Sequence, residues 1–188
     1  MLYYNTVNDL LKNSLIILMN APIFQNFRLV GGTALSLQIG HRESIDIDLF
    51  SDAEYGTLNF KEIEDFLRNN FDYVDFLDVP PAMGKAYFVG NKENSTIKLD
   101  IFYTDTFIQP FIEVDGIRMA TIEEIIAMKI DVIQRGGRKK DFWDLHNLLD
   151  TYSISQMIEL HEQRYPYTHD KDLIIQNFIS FEQADDDF

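Results

Sequence analysis

Gly31-Gly32-Thr33-Ala34-Leu35, followed by Arg42-Glu43-Ser44-Ile45-Asp46-Ile47-Asp48-Leu49-Phe50, is the stretch that decides how this chain is read. Phe27, Leu29 and Val30 form an apolar lead-in to a Gly-Gly turn. A short helix follows the turn, and then a strand that carries two carboxylates. Side chains alternate across a strand, so Asp46 and Asp48 share one face while Ile45, Ile47 and Leu49 share the other. Carboxylates that close repel each other unless they are paired or bind a cation. A hard divalent ion such as Mg2+ suits oxygen ligands of this kind. A D-x-D pair alone also fits a solvated strand face; its neighbours in sequence favour a site.

The first of these neighbours is Thr96-Ile97-Lys98-Leu99-Asp100-Ile101-Phe102-Tyr103. Ile97, Leu99 and Ile101 fall on one face, and Lys98, Asp100 and Phe102 on the other. If this strand lies beside the first, the aliphatic faces cover one core and Asp46, Asp48 and Asp100 converge on the opposite side. Two carboxylates from one strand and one from its neighbour suit a metal-assisted phosphoryl or nucleotidyl transfer site. The ordinary alternative for Asp100 is a surface residue balanced by Lys98. The second neighbour is Gly31-Gly32-Thr33 itself, where a strand turns into a helix. Glycines let backbone approach a phosphate, and a helix N-terminus offers free N–H groups and a favourable dipole. An ordinary strand-to-helix turn is the alternative. The spacing is not that of a Walker A loop, and no Gly-x-Gly-x-x-Gly occurs.

Further along, Thr121-Ile-Glu-Glu124 reads as a capping box that opens a helix to about Gln134, with Gly136-Gly137 as its stop. The apolar stripe of this helix is Ile122, Ile125, Ile126, Ile130 and Ile133, and Lys129 falls near its centre. An inward lysine needs a partner. A nucleotide phosphate and a structural carboxylate are both open, as is snorkelling to solvent. Asp141 opens the next helix, where a carboxylate also compensates the dipole. Asp144 reads as solvated, and Phe142, Trp143, Leu145 and Leu149 read as core. His146, His161 and His169 show no metal-ligand spacing.

The remaining pattern gives an α+β chain with a small mixed sheet flanked by helices, followed by a helical C-terminal part. Helices are expected over 5–20, 33–39, 59–70, 140–149, 153–164 and 170–180. Strands are expected over 27–30, 45–50, 73–79, 85–90, 96–104 and around 111–119, the last with a turn at Asp115-Gly116. Residues 1–120 are expected to form the core and 121–188 the helical part, with Asp185-Asp186-Asp187 fraying.

With 188 residues and 46% hydrophobic composition, the chain can bury a sizeable core. It has no cysteine, which excludes disulfides and thiol chemistry and suits a cytoplasmic location. The run Leu15–Met19 is too short for a membrane span. A net charge of -15 excludes a general duplex-coating protein. The one dense basic cluster, Arg135, Arg138, Lys139 and Lys140, can still hold a nucleic-acid end locally.

Val30-Gly31-Gly32, thirteen residues and then Asp46-Ile47-Asp48-Leu49 resemble the signature of the DNA polymerase β-like nucleotidyltransferase superfamily. The fuller string GGTALSLQIGHRESIDIDLF is similar to the AbiEii/AbiGii toxin family. Lys98-Leu99-Asp100 and the block Lys129…Arg135…Lys140-Asp141-Phe142-Trp143-Asp144-Leu145 extend that resemblance over roughly residues 27–149. It implies that Asp46 and Asp48 bind Mg2+ or Mn2+, and that Asp100 completes the site or activates the acceptor hydroxyl. It also implies that Gly31, Gly32 and Thr33 contact the triphosphate. Ser44 matches a polar family position, and Arg42 supports phosphate. Lys129 would bind nucleotide phosphate, and Asp141 matches a motif aspartate of functional importance. The family's usual Arg-Asp pair is Lys140-Asp141 here.

The expected activity is transfer of NMP from an NTP to a tRNA or protein acceptor, in a toxin with a cognate antitoxin. The alternatives are a catalytically inactive module that binds nucleotide or antitoxin, and a phosphotransferase that uses the same metal site.

Overall fold

A computed structural model describes residues 1–180 and residue 184. The elements in chain order are α1 (Asp9–Asn20), β1 (Arg28–Leu29), α2 (Gly31–Ile39), β2 (Asp46–Ser51), α3 (Phe60–Asn70), β3 (Tyr73–Asp75), β4 (Gly84–Lys92), β5 (Ser95–Tyr103), β6 (Ile112–Val114) and β7 (Ile117–Met119). Then come α4 (Ile122–Gln134), α5 (Lys139–His146), α6 (Ile154–Arg164) and α7 (Lys171–Ile179). Two compact units result. One holds Met1–Thr104 with Phe111–Ala120; the other holds Asp105–Pro110 with the described residues from Thr121 onward.

The first unit is built on a mixed sheet in the order β3-β4-β5-β2-β1-β7-β6. β2 and β5 are parallel neighbours at its centre, and β1 runs antiparallel to β2. The alternation expected from sequence is present. Ile47, Leu49, Ile97, Leu99 and Ile101 are buried, and α1 packs on the sheet with Leu11, Leu15 and Leu18 buried. Each such leucine contributes about 1.5–3 kcal/mol by leaving water. Ile45, assigned to the aliphatic face from sequence, instead lies outside β2 and is exposed.

Several boundaries move for local reasons. The first helix starts at Asp9 rather than residue 5, because Asn8 caps it by accepting from the Leu11 N–H at 2.8 Å. A short 3-10 turn over Tyr4–Thr6 precedes it. The strand expected over 73–79 ends at Asp75, ahead of Pro80-Pro81. The segment around 111–119 is a hairpin, with Asp115 at φ 54° and Gly116 at φ 78° in its turn. Two successive positive φ values match the twist of the strands they join.

The second unit is helical, with α5, α6 and α7 all packed on α4. The capping box expected at its start is only half made. Thr121 Oγ1 accepts from the Glu124 N–H at 3.3 Å. The Glu124 carboxylate turns inward and accepts from the N–H groups of Ile108 at 3.0 Å and Gln109 at 2.9 Å. It also pairs with Arg164, whose guanidinium donates to the carbonyls of Asp105 and Thr106, both at 3.1 Å. A buried ion pair with both carboxylate oxygens hydrogen-bonded outcompetes a surface cap, and this one stitches residues 105–109 to the helices. Gly136 and Gly137, at φ 109° and 72°, end α4 as expected. The expected fraying of Asp185–Asp187 lies outside the described residues.

Candidate active site

The central strands set the site. In the parallel β2–β5 pairing, Asp48 lies opposite Asp100, Asp46 opposite Lys98, and Phe50 opposite Phe102. The three aspartates therefore share the face away from the aliphatic core, as the two-residue period requires. Asp100 has one carboxylate oxygen paired with Lys98. Its other oxygen, Oδ1, is buried and has no hydrogen-bond partner among the described residues. An orphaned buried carboxylate oxygen is costly unless something binds it. Among the described residues no three carboxylate or imidazole groups are drawn together as a ready metal cage. The hard oxygen donors and the orphaned Oδ1 nonetheless fit a divalent cation of the Mg2+ type.

The glycine turn lies directly over this face. Val30 donates its N–H to the Asp48 carbonyl at 2.9 Å, which fixes the turn to the strand. Gly31 stands at φ 68°, and a Cβ there would collide with the Asp48 carboxylate. Glycine is thus required twice, for its conformation and for the close approach. α2 begins at Gly31 itself, two residues earlier than the spacing predicts, so both glycines form its first turn. Val30 provides no side-chain cap, which leaves the N–H groups of that turn without one.

Thr33 and Ser44 act as a strut beneath the turn. Their hydroxyls lie 2.7 Å apart, and Thr33 also donates to the Asp46 carbonyl. Both residues are buried. Arg42 donates to the Glu43 carbonyl at 3.0 Å, and its guanidinium lies against Gly32. The structure thus gathers Gly31, Gly32, Thr33, Arg42, Ser44, Asp46, Asp48 and Asp100 in the first unit. Lys98 joins them; sequence reasoning treated it only as a charge balance for Asp100.

Lys129 and Asp141 meet each other in the helical unit. Lys129 Nζ lies 2.7 Å from Asp141 Oδ1 and 2.6 Å from Asp144 Oδ2, with all three side chains buried. Arg138 Nε adds a contact to Asp141 Oδ2 at 2.8 Å. Burial pushes the Asp141 carboxyl up, but Lys129 and Arg138 together outweigh it and hold it below the usual carboxylate range. The inward lysine thus has carboxylate partners. Asp144, read as solvated, is one of them, because α5 turns residues 141 and 144 to the same buried side. Trp143, read as core, is exposed for the same helical reason, and Leu149, also read as core, lies beyond the end of α5 and is exposed as well.

Sheet, glycine turn and carboxylate face together define a nucleotidyltransferase fold. The polyadenylate synthase of Megavirus is similar to this chain at 18% identity and a TM-score of 0.53, over 75% of this chain and 31% of that longer one. JHP933 from Helicobacter pylori is similar at 21% identity and a TM-score of 0.56, over 90% and 78% of the two chains. Residues 15–187 match the family described as nucleotidyl transferase AbiEii toxin, Type IV TA system, and the chain belongs to that family. An uncharacterised protein of Aquifex aeolicus (strain VF5) is 28% identical over 173 residues, which cover 86% of this chain and 77% of that protein.

Proposed function

We propose that this nucleotidyltransferase moves NMP from an NTP to an acceptor hydroxyl and releases pyrophosphate, with Asp46, Asp48 and Asp100 as its metal-binding and reacting centre. The observation that carries this reading is the in-register pair Asp48–Asp100, with Asp100 Oδ1 orphaned. Bound Mg2+, or Mn2+ in its place, would neutralise charge on the transferring phosphate. Asp46 and Asp48 would hold it, with Asp100 as the third ligand.

Gly31 and Gly32 present backbone N–H groups to the triphosphate, and Arg42 adds a positive charge beside Gly32. Thr33 and Ser44 keep the turn rigid, so the reactants need little reorganisation. The acceptor oxygen attacks the α-phosphorus, the bond to the β-phosphate oxygen breaks, and pyrophosphate leaves. Asp100 is the group assigned to receive the acceptor's proton. Lys129 is held by Asp141 and Asp144 within the helical unit, where the three groups tie α5 to α4.

The acceptor proposed first is tRNA, held by the basic cluster at 135–140, with a protein acceptor second. The cellular setting proposed is the cytoplasm, where a cognate antitoxin restrains the toxin. Among the described residues no helix is long and apolar enough to cross a membrane. The test is incubation with Mg2+ and NTP labelled at the α or the γ phosphate, together with total tRNA or lysate. Transfer of the α label to an acceptor supports the reading. Transfer of the γ label instead makes the protein a phosphotransferase, and nucleotide binding without transfer of either label makes it a binding module.

A further inference from the structure

The carboxylate face carries aromatic rings as well as charge. Phe50 follows Asp48 by two residues on β2, and Phe102 follows Asp100 by two on β5, so all four side chains share that face. The register sets Phe50 opposite Phe102, one step beyond Asp48 opposite Asp100. The two ring centres lie 5.9 Å apart with the planes at 55°, and both residues are only half-buried. A tilted pair does not cover its own ring faces as a stacked pair would.

The next strand, β4, leaves these rings room. Directly opposed residues of an antiparallel pair share a face, which puts Gly84 beside Phe102, Ala86 beside Asp100 and Phe88 beside Lys98. A Cβ at Gly84 would stand 2.5 Å from atoms of the Phe102 ring, so the ring leans over bare backbone there. Ala86 is exposed, as is Phe88 at 44%. The core is filled from the opposite face, by Tyr87, Val89, Leu99 and Ile101.

We propose that Phe102, backed by Phe50, is the stacking platform for the terminal nucleoside of a nucleic-acid acceptor, whose hydroxyl then lies at Asp100. This deepens the NMP-transfer reading of the site and rests on it. The glycine turn assigned to the triphosphate follows β1, which flanks β2 on one side, and β5 flanks it on the other. Attacking and leaving oxygens stand in line across the phosphorus. With pyrophosphate over the glycine turn, the acceptor therefore enters over β5. Same-face residues along a strand are about 6.6 Å apart, a span that a ribose bridges between its hydroxyl and its base. A serine or threonine acceptor would bring a hydroxyl to Asp100 and nothing flat to Phe102. A nucleoside brings both, and stacking on an aromatic side chain accepts any base.

The test compares the wild type with Phe102→Ala, Phe102→Leu and Phe102→Trp, each checked for folding by circular dichroism. The probes are a labelled short single-stranded oligoribonucleotide and the same strand without its terminal base, both with Mg2+ present. In anisotropy, Phe102→Ala is expected to weaken binding of the intact strand about 5- to 150-fold and to leave the abasic strand unaffected. Phe102→Trp should keep most of the affinity and Phe102→Leu should not, because leucine fills space without a π-face. Equal affinity of the wild type for the two strands overturns the proposal, whether or not Phe102→Ala folds. So does binding by Phe102→Leu that matches the wild type, the result expected of a ring that only packs.

Transfer of the α label, measured in parallel, separates the two readings. The KM for the strand should rise in Phe102→Ala by the same factor, with the KM for NTP unchanged. A rise in the KM for NTP alone gives the platform to the donor's base and overturns the proposal, as does label found on a tyrosine of a protein. Transfer to the strand at a KM that Phe102→Ala leaves unchanged overturns the platform and leaves the transfer reading standing. Binding that depends on the terminal base, without transfer of any label, supports the platform and overturns the transfer reading.

Discussion

Gly31→Ala separates a cost to folding from a cost to chemistry. The residue sits at φ 68°, where an L side chain costs about 1–2 kcal/mol. In a chain of 188 residues that lowers the melting temperature by about 2–8 °C. The new methyl would also occupy the space of the Asp48 carboxylate. Either that carboxylate or the turn must then shift by about 1 Å, a misplacement that costs about 100-fold in rate. Gly56→Ala is the control. Gly56 stands at φ 86° with nothing within 4 Å of its added Cβ, so it carries a similar conformational cost without a collision. Thermal unfolding followed by circular dichroism should give a shift for Gly31→Ala at least as large as that for Gly56→Ala, since only the first adds a collision to the conformational cost. Transfer of α-labelled NMP should fall about 100-fold for Gly31→Ala and stay near wild type for Gly56→Ala. Equal activity of the two variants would refute the claim that the turn and Asp48 form one unit.

Glu124→Gln leaves Arg164 buried without its counter-charge and should cost about 3–5 kcal/mol, read as a lower urea midpoint. The Asp141 carboxyl titrates below its ordinary 3.8 in the folded chain, so its stabilisation is full above that pH and is lost as pH falls through the folded value. Asp141→Asn should therefore flatten the acid limb of stability measured below about pH 3.8. His169 is lowered from 6.5 by burial first and then by His161, whose Nδ1 lies 2.7 Å from its own. Its contribution holds above pH 6.5 and is lost as pH falls through the folded value, so His169→Gln should narrow the difference between melts taken above and below that pH.

The carboxylate face was legible in the sequence because a strand has a strict period of two. Ile47 and Leu49 against Asp46 and Asp48, and the same pattern around Asp100, fix both faces before any register is known. The register itself, with Asp48 opposite Asp100, depends on which strands neighbour each other and was not legible. The inward position of Lys129 followed from the helical stripe, but its partners did not. Asp141 and Asp144 lie across a glycine break, and the rotation of α5 decides which of its residues face α4. The same rotation exposes Trp143, which hydrophobicity alone assigns to the core. Glu124 was misread because its spacing from Thr121 fits a capping box, whereas the distant Arg164 offers the stronger partner.

The measurement closest to the central claim is transfer of α-labelled NMP by the wild-type chain and by Asp46→Ala, with circular dichroism confirming that both are folded. The account predicts label on the acceptor with the wild-type protein and none above background with the variant. Full transfer by folded Asp46→Ala would contradict the assignment of the chemistry to the β2–β5 carboxylate face.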